Sequence, residues 1–150
     1  DVTGAAESVA ALGYAVFSVA MVTFRLAGGM IIARFGPVAS ARFGGICAAL
    51  GVFAVVSAGG TGLALAGFTL MGAGYAVIMP LAFSRAANDP NVPPGQAIAS
   101  VATLGYGGLL IGPHLIGFLA ELMTLRLAFA VLMPLAVLIV LCAGALKRAD

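Results

Sequence analysis

Residues Phe43 to Ser84 read FGGICAALGVFAVVSAGGTGLALAGFTLMGAGYAVIMPLAFS and contain no charged side chain. Arg42 precedes the stretch and Arg85 follows it. A bilayer's hydrocarbon core is about 30 Å thick and takes roughly 20 helical residues to cross. The stretch is too long for one crossing and long enough for two. It also carries its own place to turn, the helix breakers Gly59-Gly60-Thr61-Gly62 near its middle. The sequence therefore predicts a membrane hairpin.

Composition agrees outward from there. The chain is 63% hydrophobic and 8% charged, against about 25% charged in an ordinary soluble domain. A net charge of +2 and the lack of a basic-aromatic patch argue against nucleic acid as a partner. Cys47 and Cys142 each lie in an apolar run and read as small buried side chains, not as a disulfide or metal site. The chain opens on Asp1 and not on Met, with no signal peptide pattern. A piece of a longer polypeptide is the expectation.

Charges and breakers divide the chain into five predicted spans, at about 8–33, 43–58, 63–83, 96–120 and 127–146. The segment Ser84 to Gly95, with Asn88-Asp89-Pro90 and two further prolines, reads as a loop. The continuously apolar runs lack the alternation of barrel strands. The predicted fold class is thus all-α, an integral membrane helical bundle, with Pro80, Pro113 and Pro134 inside helices as kink sites. Arg34, Arg42, Arg85, Lys147 and Arg148 fall at one set of span ends, and only Arg126 at the other, with Asp1, Glu7 and Glu121. This basic bias places the 34–42 loop, the 84–95 loop and the C-terminus in the cytoplasm, and the N-terminus outside.

Several side chains are candidates for function. Arg25 is the one charge well inside a span. It lies nine residues before Arg34, roughly 13 Å along a helix, so it either snorkels to the cytoplasmic interface or contacts a solute or anion. Ser100, Thr103 and Tyr106 share one helix face and Tyr75 lies near mid-span. These polar groups either line a cavity or bond neighbouring helices. His114 lacks an acidic or histidine partner within a helical turn and reads as structural. Gly108 and Gly112 form a GxxxG pair, read as helix packing within one bundle, with a dimerisation face as the alternative. No G-x-S-x-G elbow, H-E-x-x-H pair or dinucleotide fingerprint occurs, and one histidine cannot build a histidine metal cluster. No enzyme activity and no cofactor are expected.

Two segments carry a family resemblance. Phe24-Arg-Leu-Ala-Gly-Gly-Met-Ile-Ile-Ala-Arg-Phe-Gly36 resembles the signature loop of the major facilitator superfamily, which reads roughly G-x-x-x-D-R-x-G-R. Gly28, Arg34 and Gly36 are matched to that pattern, Gly28 lying one residue ahead of strict register, in which Gly29 falls. Ala33 stands where the family has its acid, and Pro37 where it often has a second basic residue. Leu104-Gly-Tyr-Gly-Gly-Leu-Leu-Ile-Gly-Pro-His-Leu-Ile-Gly117 is similar to helix 11 in a bacterial branch near the fucose permeases. The resemblance covers nearly the whole chain as helices 8 to 12 of a twelve-helix transporter, with helices 1 to 7 of the same polypeptide absent. It implies movement of a small-molecule substrate across the bacterial inner membrane by alternating access, with proton coupling as an option. Gly28, Arg34 and Gly36 would then belong to a cytoplasmic gate. The alternative is a small five-span protein that assembles with or regulates another membrane protein.

Overall fold

The computed structural model describes residues 2–146, with side chains from Ser8 onward. Asp1, Lys147, Arg148 and Asp150, and the Glu7 side chain, lie outside the described residues, and with them part of the charge pattern above. Among the described residues every regular element is a helix. They are α1 (Val2–Phe35), α2 (Pro37–Ser57), α3 (Thr61–Tyr75), α4 (Ile78–Ala87), α5 (Pro94–Leu122), α6 (Leu125–Ala130) and α7 (Leu132–Cys142), closed by a 3-10 turn at Ala143–Leu146. These make five helical stretches long and apolar enough to cross a membrane: Ser8–Phe35, Pro37–Ser57, Thr61–Ala87, Pro94–Leu122 and Leu125–Leu146. The protein is a multi-pass, all-helical membrane bundle.

Two of the five are broken, each by a proline. Pro80 cannot donate to the Ala76 carbonyl, and Pro134 cannot donate to that of Ala130. The helix lapses just before each, over Ala76 and Val77 and at Val131, and then resumes. Pro113 leaves α5 unbroken.

The first hairpin differs from the sequence expectation. In place of a loop over 34–42, Gly36 alone separates α1 from α2, and α2 already begins at Pro37. Gly36 has φ 79°, a conformation that glycine reaches freely and other residues rarely. Its N–H bonds the Ile32 carbonyl at 2.9 Å, and its own carbonyl accepts from Ser40 N at 3.1 Å and Ser40 Oγ at 2.7 Å. Proline at the first helical position then restarts the helix. Arg34 and Arg42 mark an interface without needing a loop, because long basic side chains reach water from within a helix.

α2 is the centre of the packing. It lies antiparallel to α3 and also carries α6 and α7, while α1 packs on α3. The α2–α3 contact is backbone on backbone. A Cβ added at Gly44 would stand 2.6 Å from the Gly74 carbonyl oxygen, and one at Gly51 would stand 2.7 Å from that of Gly67. Small residues allow this approach, which supplies dispersion contacts where no hydrophobic effect acts. Ala20, Ala41, Ala48, Ala76, Ala128, Ala136 and Ala143 are buried, and Val52 is the largest side chain buried completely. Large apolar groups such as Leu26, Met30, Phe43, Phe53, Leu110 and Leu141 point outward. The distribution is that of a bundle with lipid for a solvent.

Two arginines tie the ends. Arg126, at the start of α6, donates to the Ala58 carbonyl between α2 and α3. At the opposite end, Arg85 Nε donates to the Ala145 carbonyl at 3.3 Å, and its Nη1 meets Asp89 at 3.0 Å. α5 stands apart: among the described residues it touches α4 and α6 but not α1, α2, α3 or α7, and none of its residues is buried. The glycine pair expected to pack within the bundle, Gly108 and Gly112, has no neighbour within 4 Å of an added Cβ. The close glycine packing belongs to Gly44, Gly51, Gly67 and Gly74 instead.

Candidate functional site

The structure separates the polar candidates into three places. Arg25 projects from α1, exposed and without a hydrogen bond or ion pair among the described residues. At 100° per residue it lies roughly 140° around α1 from Ala20, whose Cβ marks the side that meets Gly72 of α3. Tyr75 ends α3, half-buried beside the Pro80 kink. Ser100, Thr103 and Tyr106 lie on α5 and are exposed, Tyr106 at 67%. Since α3 and α5 do not touch, Tyr75 is not brought beside Tyr106. Neither phenol has a hydrogen-bond partner among the described residues.

The motif residues of the α1–α2 turn sit together but do different things. Gly28 is buried against Val77, with 3.6 Å between an added Cβ and Cγ1, so ordinary contact would accept a methyl there. Gly36 makes the reversal. Arg34 is exposed, its guanidinium 5.8 Å from the centre of the neighbouring Phe35 ring, with no carboxylate against it among the described residues. An apolar groove of about 570 Å3 opens nearby between α1, α2 and α3, bordered by Phe24, Phe35, Phe43, Cys47, Leu70 and Val77. It includes none of the polar candidates.

On α5 the polar groups extend further than the sequence reading took them. Ser100, Gly107, His114 and Glu121 recur every seven residues, and Gln96 and Thr103 complete the row. At 100° per residue these six positions fall within roughly 60° of arc. The side of α5 that meets the bundle is marked by Gly105, where an added Cβ stands 2.9 Å from Met79 Cε, and by half-buried Val101 and Ile116. The polar row is centred roughly opposite to that side. Tyr106 lies roughly 60° beyond the row, outside it. The seven-residue spacing was the available signal; searching for partners only within one turn of His114 missed it.

Hydrogen bonding fixes what this row offers. Ser100 Oγ donates to the Gln96 carbonyl at 2.9 Å, and Thr103 Oγ1 to that of Ala99 at 2.8 Å. His114 Nδ1 lies 2.7 Å from the Leu110 carbonyl. A carbonyl only accepts, so Nδ1 carries the hydrogen, and the neutral ring is left with Nε2 as an acceptor.

The chain is homologous along nearly its whole length to bacterial membrane transporters. It is 48% identical over 99% of its length to an uncharacterised transporter, y4wD, of Sinorhizobium fredii. It is 37% identical over 97% to an uncharacterised transporter of the MFS type, that is, of the major facilitator superfamily, from Yersinia pestis. It is also 33% identical over 92% to the membrane protein MosC of Rhizobium meliloti. The chain spans 39%, 38% and 34% of the lengths of these three relatives. Its named relatives are transporters and a membrane protein, not enzymes. No family model matches the chain, and no solved structure does.

Proposed function

We propose that the chain forms helices 8 to 12 of a twelve-helix secondary transporter of the major facilitator type, in a branch near the fucose permeases. It carries a small solute across the bacterial inner membrane by alternating access, with the 34–42 and 84–95 segments in the cytoplasm. The observation that carries this is the 48% identity over 99% of the chain to a transporter more than twice as long. The structure supports it through α5, a membrane-length helix with nothing buried and a polar row turned away from its neighbours. Such a face does not suit lipid and suits a cavity between two halves. Arg25, Tyr75, Ser100, Thr103 and Tyr106 are the proposed solute contacts, and Gly28, Arg34 and Gly36 the proposed gate turn.

The gene sequence upstream of Asp1 tests the architecture. Seven further spans in the same frame are expected. A start codon directly before this segment, with no further spans, would instead favour a five-span assembly or regulatory subunit.

A further inference from the structure

We propose that the polar row of α5 is a water-facing track spanning the membrane, acceptor-only from Ser100 to Glu121, and that it selects hydrogen-bond-donating solutes without net negative charge, with Glu121 setting the charge preference at its outer end. The inference rests on the transport reading and adds to it His114, Glu121 and a class of solute.

The argument is one of proton inventory. A hydroxyl has one hydrogen and two lone pairs. Ser100 and Thr103 have spent their hydrogens on their own helix, so each shows only lone pairs outward. His114 has spent its Nδ1 hydrogen on Leu110, and Nε2 of the neutral ring accepts. Glu121, when ionised, only accepts; it is exposed and has no ion-pair partner among the described residues. The adjacent base, Arg126, is turned to the Ala58 carbonyl. No lysine or arginine lies on α5. Gln96, at the end of the row beside the 84–95 segment, adds an amide that both donates and accepts; from Ser100 to Glu121 a solute meets lone pairs and one carboxylate. Ammonium and hydroxyl groups can satisfy them; a carboxylate or phosphate group cannot, and is repelled. Hydroxyls bonded to their own helix are tolerated in lipid, but an imidazole and a carboxylate on the same line are costly there. Leu110 and Phe118 lie within or beside the row and narrow it without adding donors.

The test uses the full-length protein in membranes, with its native cysteines replaced, Cys47→Ala and Cys142→Ala among them. Single variants Ser100→Cys, Gly107→Cys and His114→Cys probe the row. Leu104→Cys and Leu115→Cys probe its flank, and Asn91→Cys in the loop gives a reference rate. Each reacts with cationic 2-aminoethyl and anionic 2-sulfonatoethyl methanethiosulfonate, and the amount of protein in the membrane is measured for each. We expect the row to react well above the flank. We also expect the cationic reagent, normalised to Asn91→Cys, to be favoured by about tenfold at Gly107→Cys and His114→Cys, the scale of charge focusing in a low-dielectric cleft. Adding Glu121→Gln to Gly107→Cys should erase most of that preference. Fast reaction with equal normalised rates overturns the selectivity and leaves the transport reading standing. Reaction no faster than at the flank overturns the water-facing track, and with it the proposed cavity face of α5.

Discussion

Two glycines of one short motif have opposite tolerances. Gly36 is held at φ 79° with open space around it, so its constraint is conformational and not steric. With ψ at 165° as well, the residue sits in a region essentially reserved for glycine, so Gly36→Ala should cost about 1–3 kcal/mol and lower the melting temperature of the purified full-length protein. Gly28→Ala brings a methyl into ordinary contact with Val77 and should leave melting unchanged. Equal effects of the two would overturn this reading of the turn. Gly51 is constrained differently again, because its Cβ would meet the Gly67 backbone at 2.7 Å. Backbone cannot step aside as a side-chain end can, so Gly51→Ala should destabilise by about 1–3 kcal/mol. Gly108→Ala, with nothing nearby, serves as the matched control within this segment. Among the described residues Arg34 meets the Phe35 ring and no carboxylate; Arg34→Ala should melt as the wild type does, so any loss of transport would report contacts made elsewhere in the full-length protein.

At the scale of elements, the hairpin was readable because charge-free length and a glycine cluster are linear signals. Helix ends at the α1–α2 turn were not. The pattern Arg34–Arg42 reports where side chains reach water, and a helix can carry such residues past the point where its lipid-facing part stops. The proline breaks were legible from a lost donor, although the lapse falls over Ala76 and Val77 and at Val131, and not at the prolines. Restoring that donor has a direct readout. Pro80→Ala gives position 80 an N–H that can reach the Ala76 carbonyl, and amide exchange over 76–80 should slow relative to the wild type. Unchanged or faster exchange would show that packing, not the proline, holds the break. The polar row of α5 was legible only in part, since a stripe can be read from its period but the face it turns to its neighbours cannot. That direction came from Gly105 and Met79 on another helix.

Across the bundle, orientation can be read from its two ends. Ala39 and Asn91 are exposed at the same end of the bundle as Arg34 and Arg85. With the proposed orientation, Ala39→Cys and Asn91→Cys in intact cells should resist an impermeant thiol reagent and react once the membrane is opened. Labelling of both from outside would invert the topology. Ser40 is a poor reporter for this purpose because it is 3% exposed. The same experiment bears on Glu121, which the proposed topology puts at the outer surface, away from any cytoplasmic proton source.

The two end ties have a consequence for how this protein varies. Arg126 and Arg85 each grip a main-chain carbonyl, at Ala58 and Ala145. A peptide oxygen is supplied by every residue type, so the partner position keeps its half of the bond through substitution as long as a small side chain fits. Mutational scanning should therefore find arginine needed at 85 and 126, while 58 and 145 accept Ser or Gly. Methods that infer contacts from paired substitutions across homologues would see no pairing of 126 with 58 or of 85 with 145, although the last span is anchored there.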